Sequence, residues 1–155
     1  MEKLINLPAF SPQIRDFSGK KLIFDRLRKK YVALTPEEWV RQHFVNYLLT
    51  CKHYPAGRIG NEISLKYNGL KKRCDTVVYD HFGHPLMLVE YKASTTAISQ
   101  EVFDQIARYN LTMRAPYLAV SNGIRHYCCQ MNYGEGTYCL LNEIPDYPEL
   151  AGKNN

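Results

Sequence analysis

The chain has 155 residues, a formal net charge of +5 and a hydrophobic share of 45%. This length is typical of one domain with its own core, and the hydrophobic share excludes a largely disordered chain. The five cysteines are an odd number without a CxxC pair, which is typical of free thiols in a reducing compartment. No secretory signal or membrane span is evident, so we expect a cytoplasmic protein.

The first 34 residues contain two strand-like segments, at about 13–17 and 21–25. We expect them to form an N-terminal β extension that packs on the core domain, which should span residues 35–150. Residues 151–155 are polar and are expected to form a loose tail. The chain is therefore divided into an extension, a core domain and a short tail.

The first helix of the core is predicted over about 36–50. Thr35 is a good N-cap, Pro36 suits the first helical position, and the apolar residues that follow recur at helical spacing. Glu38 lies in the first turn, where the helix dipole favours a carboxylate, and Thr35 with Glu38 has the pattern of a capping box. A capping role for Glu38 is therefore one of its two interpretations; the other is given below.

The next part of the chain carries charges inside apolar strand sequence. Three strands are predicted, near 61–67, 73–80 and 86–92. Asp75 lies in the second strand, and Glu90 and Lys92 lie in the third. A buried charge needs a partner or a metal ion. If the last two strands form an antiparallel hairpin whose register is correct or is corrected by a bulge, the three side chains converge. The alternative is a surface hairpin with an ordinary ion pair.

Two carboxylates and a lysine at one place suit the hydrolysis of a phosphodiester. Oxygen ligands from Asp75 and Glu90, with a backbone carbonyl near Tyr91, are those that Mg²⁺ or Mn²⁺ prefers. Such an ion lowers the pKa of a bound water and neutralises charge on the phosphorus oxygens. Lys92 would orient the attacking water and stabilise the transition state.

The basic residues are clustered. Lys71, Lys72 and Arg73 directly precede Asp75, and this position predicts a contact with the phosphate backbone of DNA. Two further clusters lie in the N-terminal extension, at Lys20-Lys21 and within residues 26–30. For Lys20-Lys21 a solvated surface is the preferred interpretation.

The last part of the core begins with a second helix at about 97–110. Strands are predicted after it, at about 116–121, 124–131 and 137–141. The connection through this helix should be a right-handed crossover, which makes the strands before and after it parallel. Gln105 and Tyr109 are four residues apart and share one face of the helix. We expect Tyr109 to lie on the core-facing side with Val102 and Ile106, and Gln105 at its edge.

Asp75, followed by Glu90-Tyr91-Lys92, resembles the motif of the PD-(D/E)xK nuclease superfamily. The segments 34–42 and 105–110 are also similar to the N-terminal nuclease domain of type I restriction enzyme R subunits, in a short, stand-alone form. The resemblance implies an α/β, restriction-endonuclease-like fold, a mixed β-sheet flanked by helices in the order α-β-β-β-α-β. No GxxxxGK(S/T) sequence occurs in the chain, so the resemblance does not extend to ATP-driven translocation.

The resemblance also implies roles for residues outside the two charged strands. Gln105 and Tyr109 match a QxxxY motif that helps to hold substrate or the geometry of the metal site. Glu38 is the candidate for an acid that the first helix directs at the metal. Glu62, on the polar side of its strand, is the rival candidate.

Two functions from different classes follow. The preferred one is a Mg²⁺-dependent DNA nuclease, cutting internally or from ends, in restriction, defence or repair. The alternative is a non-catalytic nucleic-acid-binding or assembly module that keeps the fold and works with a separate motor or specificity subunit. A phosphohydrolase for nucleotides is a weaker third option, because no compact nucleotide pocket is evident in the sequence.

Overall fold

The structure, a computed structural model, describes residues 5–147, so the predicted tail lies outside the described residues. The elements are β1 (Ile14–Phe17), β2 (Lys20–Asp25), β3 (Lys30–Ala33), α1 (Pro36–Cys51), β4 (Ile59–Tyr67), β5 (Leu70–Tyr79), β6 (Pro85–Tyr91), α2 (Gln100–Asn110), β7 (Tyr117–Ser121), β8 (His126–Asn132) and β9 (Thr137–Leu140). No helix in this range is long and apolar enough to cross a membrane.

Both helices begin where a side chain caps them. The Thr35 hydroxyl accepts a hydrogen bond from the Glu38 amide at 3.0 Å, and Pro36 occupies the first helical position as predicted. The Ser99 hydroxyl accepts one from the Val102 amide at 3.2 Å, so α2 begins later than the predicted residue 97. The local polar residues therefore determine where each helix starts.

The main sheet has six strands in the order β4-β5-β6-β7-β8-β9. The β6–β7 pair is parallel and the other neighbouring pairs are antiparallel, so α2 forms the predicted crossover between parallel strands. The β5–β6 register shifts between Val78 and Tyr79, which is the bulge considered from the sequence. Next to the bulge the paired strands run as far as Thr76 and Val89, which directly adjoin Asp75 and Glu90 in the sequence.

The two faces of this sheet are covered by different helices, which gives the mixed α/β fold that the sequence predicted. Phe44 of α1 packs in one cluster with Tyr117 and Ala119 of β7. Phe103 of α2 packs in the other with Leu118. Successive residues of β7 thus enter opposite layers, and this explains why the strand is apolar throughout.

The predicted core-facing position of Tyr109 on α2 is wrong, although Ile106 does pack against the core. The residues of α2 that are buried are Phe103, Ala107 and Asn110, whereas Tyr109 is 63% exposed. These three buried residues recur at intervals of four and three, so they form the face of α2 that packs on the sheet. The large Phe103 ring fills the layer between this face and β7. Tyr109 is therefore a surface residue.

The N-terminal extension forms its own three-stranded antiparallel sheet in the order β1-β2-β3. Strand β3 was not predicted from the sequence. Asp25, at the end of β2, is fully buried and accepts a hydrogen bond from Asn61 Nδ2 of β4 at 3.0 Å. This contact joins the small sheet to the core beside the start of α1.

Phe44→Ala should lower the free energy of unfolding by about 3 to 5 kcal/mol, because the ring is fully buried and its removal leaves a cavity. Phe82→Ala removes the same kind of side chain at a position that is 72% exposed. This control should change the free energy of unfolding by no more than about 0.5 kcal/mol. Urea unfolding followed by circular dichroism measures both. Equal losses would contradict the described core.

Candidate active site

A cavity of about 300 Å³ lies where β5 and β6 meet the N-terminal part of α1. Its lining residues are Thr35, Glu37, Glu38, Arg41, Glu62, Asp75, Glu90, Tyr91 and Lys92. The structure thus brings Asp75, Glu90 and Lys92 to one place, as expected from their strands. Both candidates for the additional acid, Glu38 and Glu62, line the same cavity.

Asp75 and Glu90 are close neighbours in the lining of this cavity. One carboxylate oxygen of Asp75 accepts a hydrogen bond from the Tyr91 amide at 2.9 Å, which orients it towards β6. Burial, and then the negative charge of Asp75, raise the pKa of Glu90 above its usual value. Two neighbouring carboxylates of this kind favour a bound cation, because a cation removes their repulsion.

Lys72 supplies part of the opposing charge. Its side chain is only 7% exposed, and Nζ lies 2.6 Å from Glu90 Oε1 and 4.8 Å from the centroid of the Tyr109 ring. Its neighbours Lys71 and Arg73 are exposed. Because side chains alternate along a strand, Lys71 and Arg73 face solvent while Lys72 faces the protein interior. The Lys72 ammonium therefore pairs with Glu90 and is not available to a phosphate.

Glu38 has several partners in the cavity wall. Arg41 donates from Nε to Glu38 Oε2 at 2.9 Å, Gln42 donates to the same oxygen at 2.8 Å, and Arg28 donates to Oε1 at 3.0 Å. Burial alone would raise the pKa of Glu38, but hydrogen bonds from Arg41 and Gln42 and the charges of Arg41 and Arg28 hold the pKa below its usual value. Both oxygens are thus occupied by protein donors.

Arg41 is the residue of this site that sequence reasoning missed. Its Nη1 donates to Glu62 Oε2 at 2.7 Å and to the backbone oxygen of Asp75 at 2.8 Å. The signal in the sequence was an arginine three residues after Glu38, on the same face of α1.

Glu62 lies at a break in the regular strand geometry. Its φ is +57°, a left-handed conformation that is uncommon for a residue other than glycine. Asn61 bonds to Asp25 on the α1 side of the sheet, whereas Ile63 packs against the α2-side cluster. The residues on either side of Glu62 therefore point to opposite faces of the sheet. The Glu62 carboxylate contacts Arg41 at 2.7 Å and Arg73 at 3.2 Å.

Gln105 and Tyr109 do not line this cavity. They line a second one, of about 480 Å³, together with Leu70, Lys71, Lys72, Arg108, Thr112 and Met113. Lys72 links the two, since its ammonium contacts Glu90 on one side and the Tyr109 ring on the other. A role of Gln105 and Tyr109 at the first cavity would be exerted through Lys72.

The donor set at Asp75 and Glu90 fits a hard divalent cation. Within residues 5–147 there is no group of three or more His, Cys, Asp or Glu side chains arranged to hold a metal ion. Mg²⁺, however, takes only one or two carboxylates from many proteins and completes its coordination with water and substrate phosphate. Asp75, Glu90 and the Tyr91 carbonyl are the protein groups that could hold it.

Comparisons with known proteins agree with this architecture, a mixed sheet between helices of the restriction-endonuclease-like class. The family model for the N terminus of the type I restriction enzyme R protein (HSDR_N) matches residues 36–145. Because the match covers more than half of the chain, the protein belongs to this family. The resemblance noted in the sequence is thereby confirmed.

A solved structure has the same fold. It is a fragment described as the HsdR subunit of a type I restriction enzyme from Vibrio vulnificus YJ016, with 19% identity and a TM-score of 0.53. The match covers 77% of this chain and 25% of that one, so the chain spans about a quarter of the length of that structure. No curated protein matches the chain.

Glu38→Gln should lower the free energy of unfolding at pH 7 by about 3 kcal/mol, because it removes the more buried of the two carboxylates that pair with the buried Arg41 and leaves only Glu62. The folded-state pKa of Glu38 is below its usual 4.5, so its stabilisation is present above pH 4.5 and is lost as the pH falls further. The difference between wild type and variant should therefore shrink in acid.

Glu37→Gln is the matched control, since Glu37 is exposed and directly precedes Glu38. Urea unfolding at pH 7 and at acidic pH measures both variants. Equal effects of the two substitutions, or a Glu38→Gln deficit that grows in acid, would contradict the ion-pair network.

Proposed function

We propose that this protein is a metal-dependent DNA nuclease of the restriction, defence or repair type. The observation that carries the proposal is the convergence of Asp75, Glu90 and Lys92 in one cavity, from two neighbouring strands. The family of type I restriction enzyme R proteins supports the same chemistry. A nuclease of this type would act in the cytoplasm.

Asp75 and Glu90, with the Tyr91 carbonyl, would hold Mg²⁺ or Mn²⁺. Such an ion, when bound, lowers the pKa of water and neutralises charge on the scissile phosphate. The half-buried position of Asp75 and Glu90 leaves them open to the cavity while keeping most bulk water away. The Tyr91 amide keeps Asp75 in place during this chemistry.

Lys92 would position the attacking water and stabilise negative charge in the transition state. Its backbone N–H donates to the Ser121 carbonyl at 2.9 Å, which fixes the end of β6 against β7. Lys92 is one of the residues that line the cavity together with Asp75 and Glu90. A fixed backbone in the cavity wall favours the preorganised electrostatic role proposed for this lysine.

The exposed Lys71 and Arg73 would contact the DNA backbone next to the cavity. Gln105 and Tyr109 would hold substrate or, through Lys72, the position of Glu90. Glu38 and Glu62 would serve mainly to position Arg41, because protein cations contact both carboxylates. Of the two, Glu62 is less buried and is the better candidate for an additional acid.

The alternative is a non-catalytic module that binds nucleic acid or assembles with a motor or specificity subunit. One observation favours it: the Lys72 ammonium already occupies one oxygen of Glu90 at 2.6 Å. A cation at this position competes with a divalent ion for the same carboxylate. Cleavage assays separate the two functions directly.

Purified protein with Mg²⁺ or Mn²⁺ should cleave DNA, and Asp75→Ala should reduce cleavage at least about a hundredfold, because an ion's contribution to the transition state is worth several kcal/mol. Linear, nicked, circular and single-stranded DNA should each be tested by gel electrophoresis. Activity that persists unchanged in Asp75→Ala would exclude the proposed site. No cleavage of any substrate, together with metal-independent retention of DNA, would favour the binding module.

Lys92→Ala should keep metal binding but lose about a hundredfold to a thousandfold in turnover, the typical effect of removing one group that stabilises transition-state charge. Calorimetric titration with Mn²⁺ and single-turnover cleavage measure the two properties. Lys66→Ala, which removes an exposed lysine of β4, is the control and should leave both unchanged. Wild-type turnover of Lys92→Ala would exclude the role given to this residue.

A further inference from the structure

The net charge of the protein is concentrated in the small N-terminal sheet. Residues 14–33, which comprise β1–β3 and their turns, contain seven Lys or Arg and two Asp, a net charge of +5. The whole chain also has a formal net charge of +5, so the remaining residues are together neutral. This segment lies outside the residues 36–145 that the family model matches. The basic character is therefore separate from the family-defining part of the chain.

Most of these cations are exposed and have no acidic partner. Two cations have acidic partners: the half-buried Arg28 forms salt bridges with Asp25 and Glu38, and Lys21 lies 3.4 Å from Asp16 at the surface. Within residues 5–147, no carboxylate lies at ion-pair distance from the other five, which are Arg15, Lys20, Arg26, Lys29 and Lys30. A surface with this many unneutralised cations attracts a polyanion.

The first strand adds nothing to the protein core. All four residues of β1 are exposed, including Ile14 at 45% and Phe17 at 65%. Phe17 lies at the tip of the β1–β2 hairpin, where Ser18 and Gly19 form a tight turn with φ values of +51° and +80°. The hairpin therefore presents an apolar tip between basic residues.

We propose that the three-stranded sheet β1–β3 is a binding surface for double-stranded DNA. Its cations would replace condensed counterions along the phosphate backbone. A two-stranded β-ribbon such as β1–β2 has the width that the major groove admits. Phe17 would contact apolar base edges there. A second copy of the chain is the less favourable occupant, because two surfaces of charge +5 repel one another.

The sheet is attached to the wall of the candidate active site. Arg28 Nε lies 2.5 Å from Asp25 Oδ2, and Arg28 Nη2 lies 3.0 Å from Glu38 Oε1. Thr35, two residues after β3 ends, lines the cavity. DNA held by the sheet would thus pass beside Asp75 and Glu90. Only this last step, delivery to a cleaving centre, rests on the proposed nuclease function.

Binding of a fluorescein-labelled 30-base-pair duplex, measured by anisotropy in EDTA over a series of salt concentrations, tests the proposal without cleavage. Lys20→Gln/Lys30→Gln removes two exposed cations from opposite ends of the sheet. This variant should bind several-fold more weakly and lower the slope of log affinity against log salt by about two. Arg114→Gln/Arg125→Gln removes two exposed cations of the core domain and is the matched control, with an unchanged slope.

Three results would overturn the proposal. The first is equal behaviour of the two variants, which would indicate a general effect of net charge or none. The second is tighter binding of the matching RNA duplex. The third is a dimer, seen by analytical ultracentrifugation, that the Lys20→Gln/Lys30→Gln variant loses while it retains DNA binding. Failure of the wild type to cleave DNA in Mg²⁺, with the predicted slope change intact, would instead remove the nuclease function and leave the DNA surface standing.

Discussion

A single buried guanidinium, that of Arg41, holds the candidate site together. It joins α1 to β4 and β5 by bonding to Glu38, to Glu62 and to the backbone of Asp75. Burial alone would lower the pKa of Arg41, but the hydrogen bonds to Glu38 and Glu62 hold it above its usual value. A permanent positive charge at this point lets several carboxylates share one cavity, because each unpaired buried charge would be costly.

The carboxylates that line the cavity are of two kinds, which differ in their partners. Glu38 and Glu62 are occupied by arginines, so they act within the protein. Asp75 and Glu90 have fewer partners, a backbone amide for the first and Lys72 for the second. Burial, and then the negative charge of Asp75, raise the pKa of Glu90, because Lys72 offsets them only in part. The remaining negative charge is thus concentrated where a divalent ion and a phosphodiester would meet.

Much of the architecture could be predicted from local patterns. The caps of α1, the parallel crossover through α2 and the mixed sheet follow from Thr35-Pro36, the apolar strands and the handedness of such connections. Strand β3 was missed because Lys30–Ala33 is short and half exposed, so it has no clear alternation. The position of Tyr109 was predicted wrongly, because this tyrosine was taken for a core residue where Phe103 fills that layer.

The sequence by itself determined which strands carry the acids and the lysine, since strand alternation and a hairpin place Asp75 near Glu90 once the register, here corrected by a bulge, is right. Only the tertiary structure decided the state of each charge. Lys72 points inwards and its neighbours outwards, and Arg41 reaches across three elements. Burial and pairing depend on residues that are distant along the chain, so no local pattern can encode which carboxylate is satisfied and which has few partners.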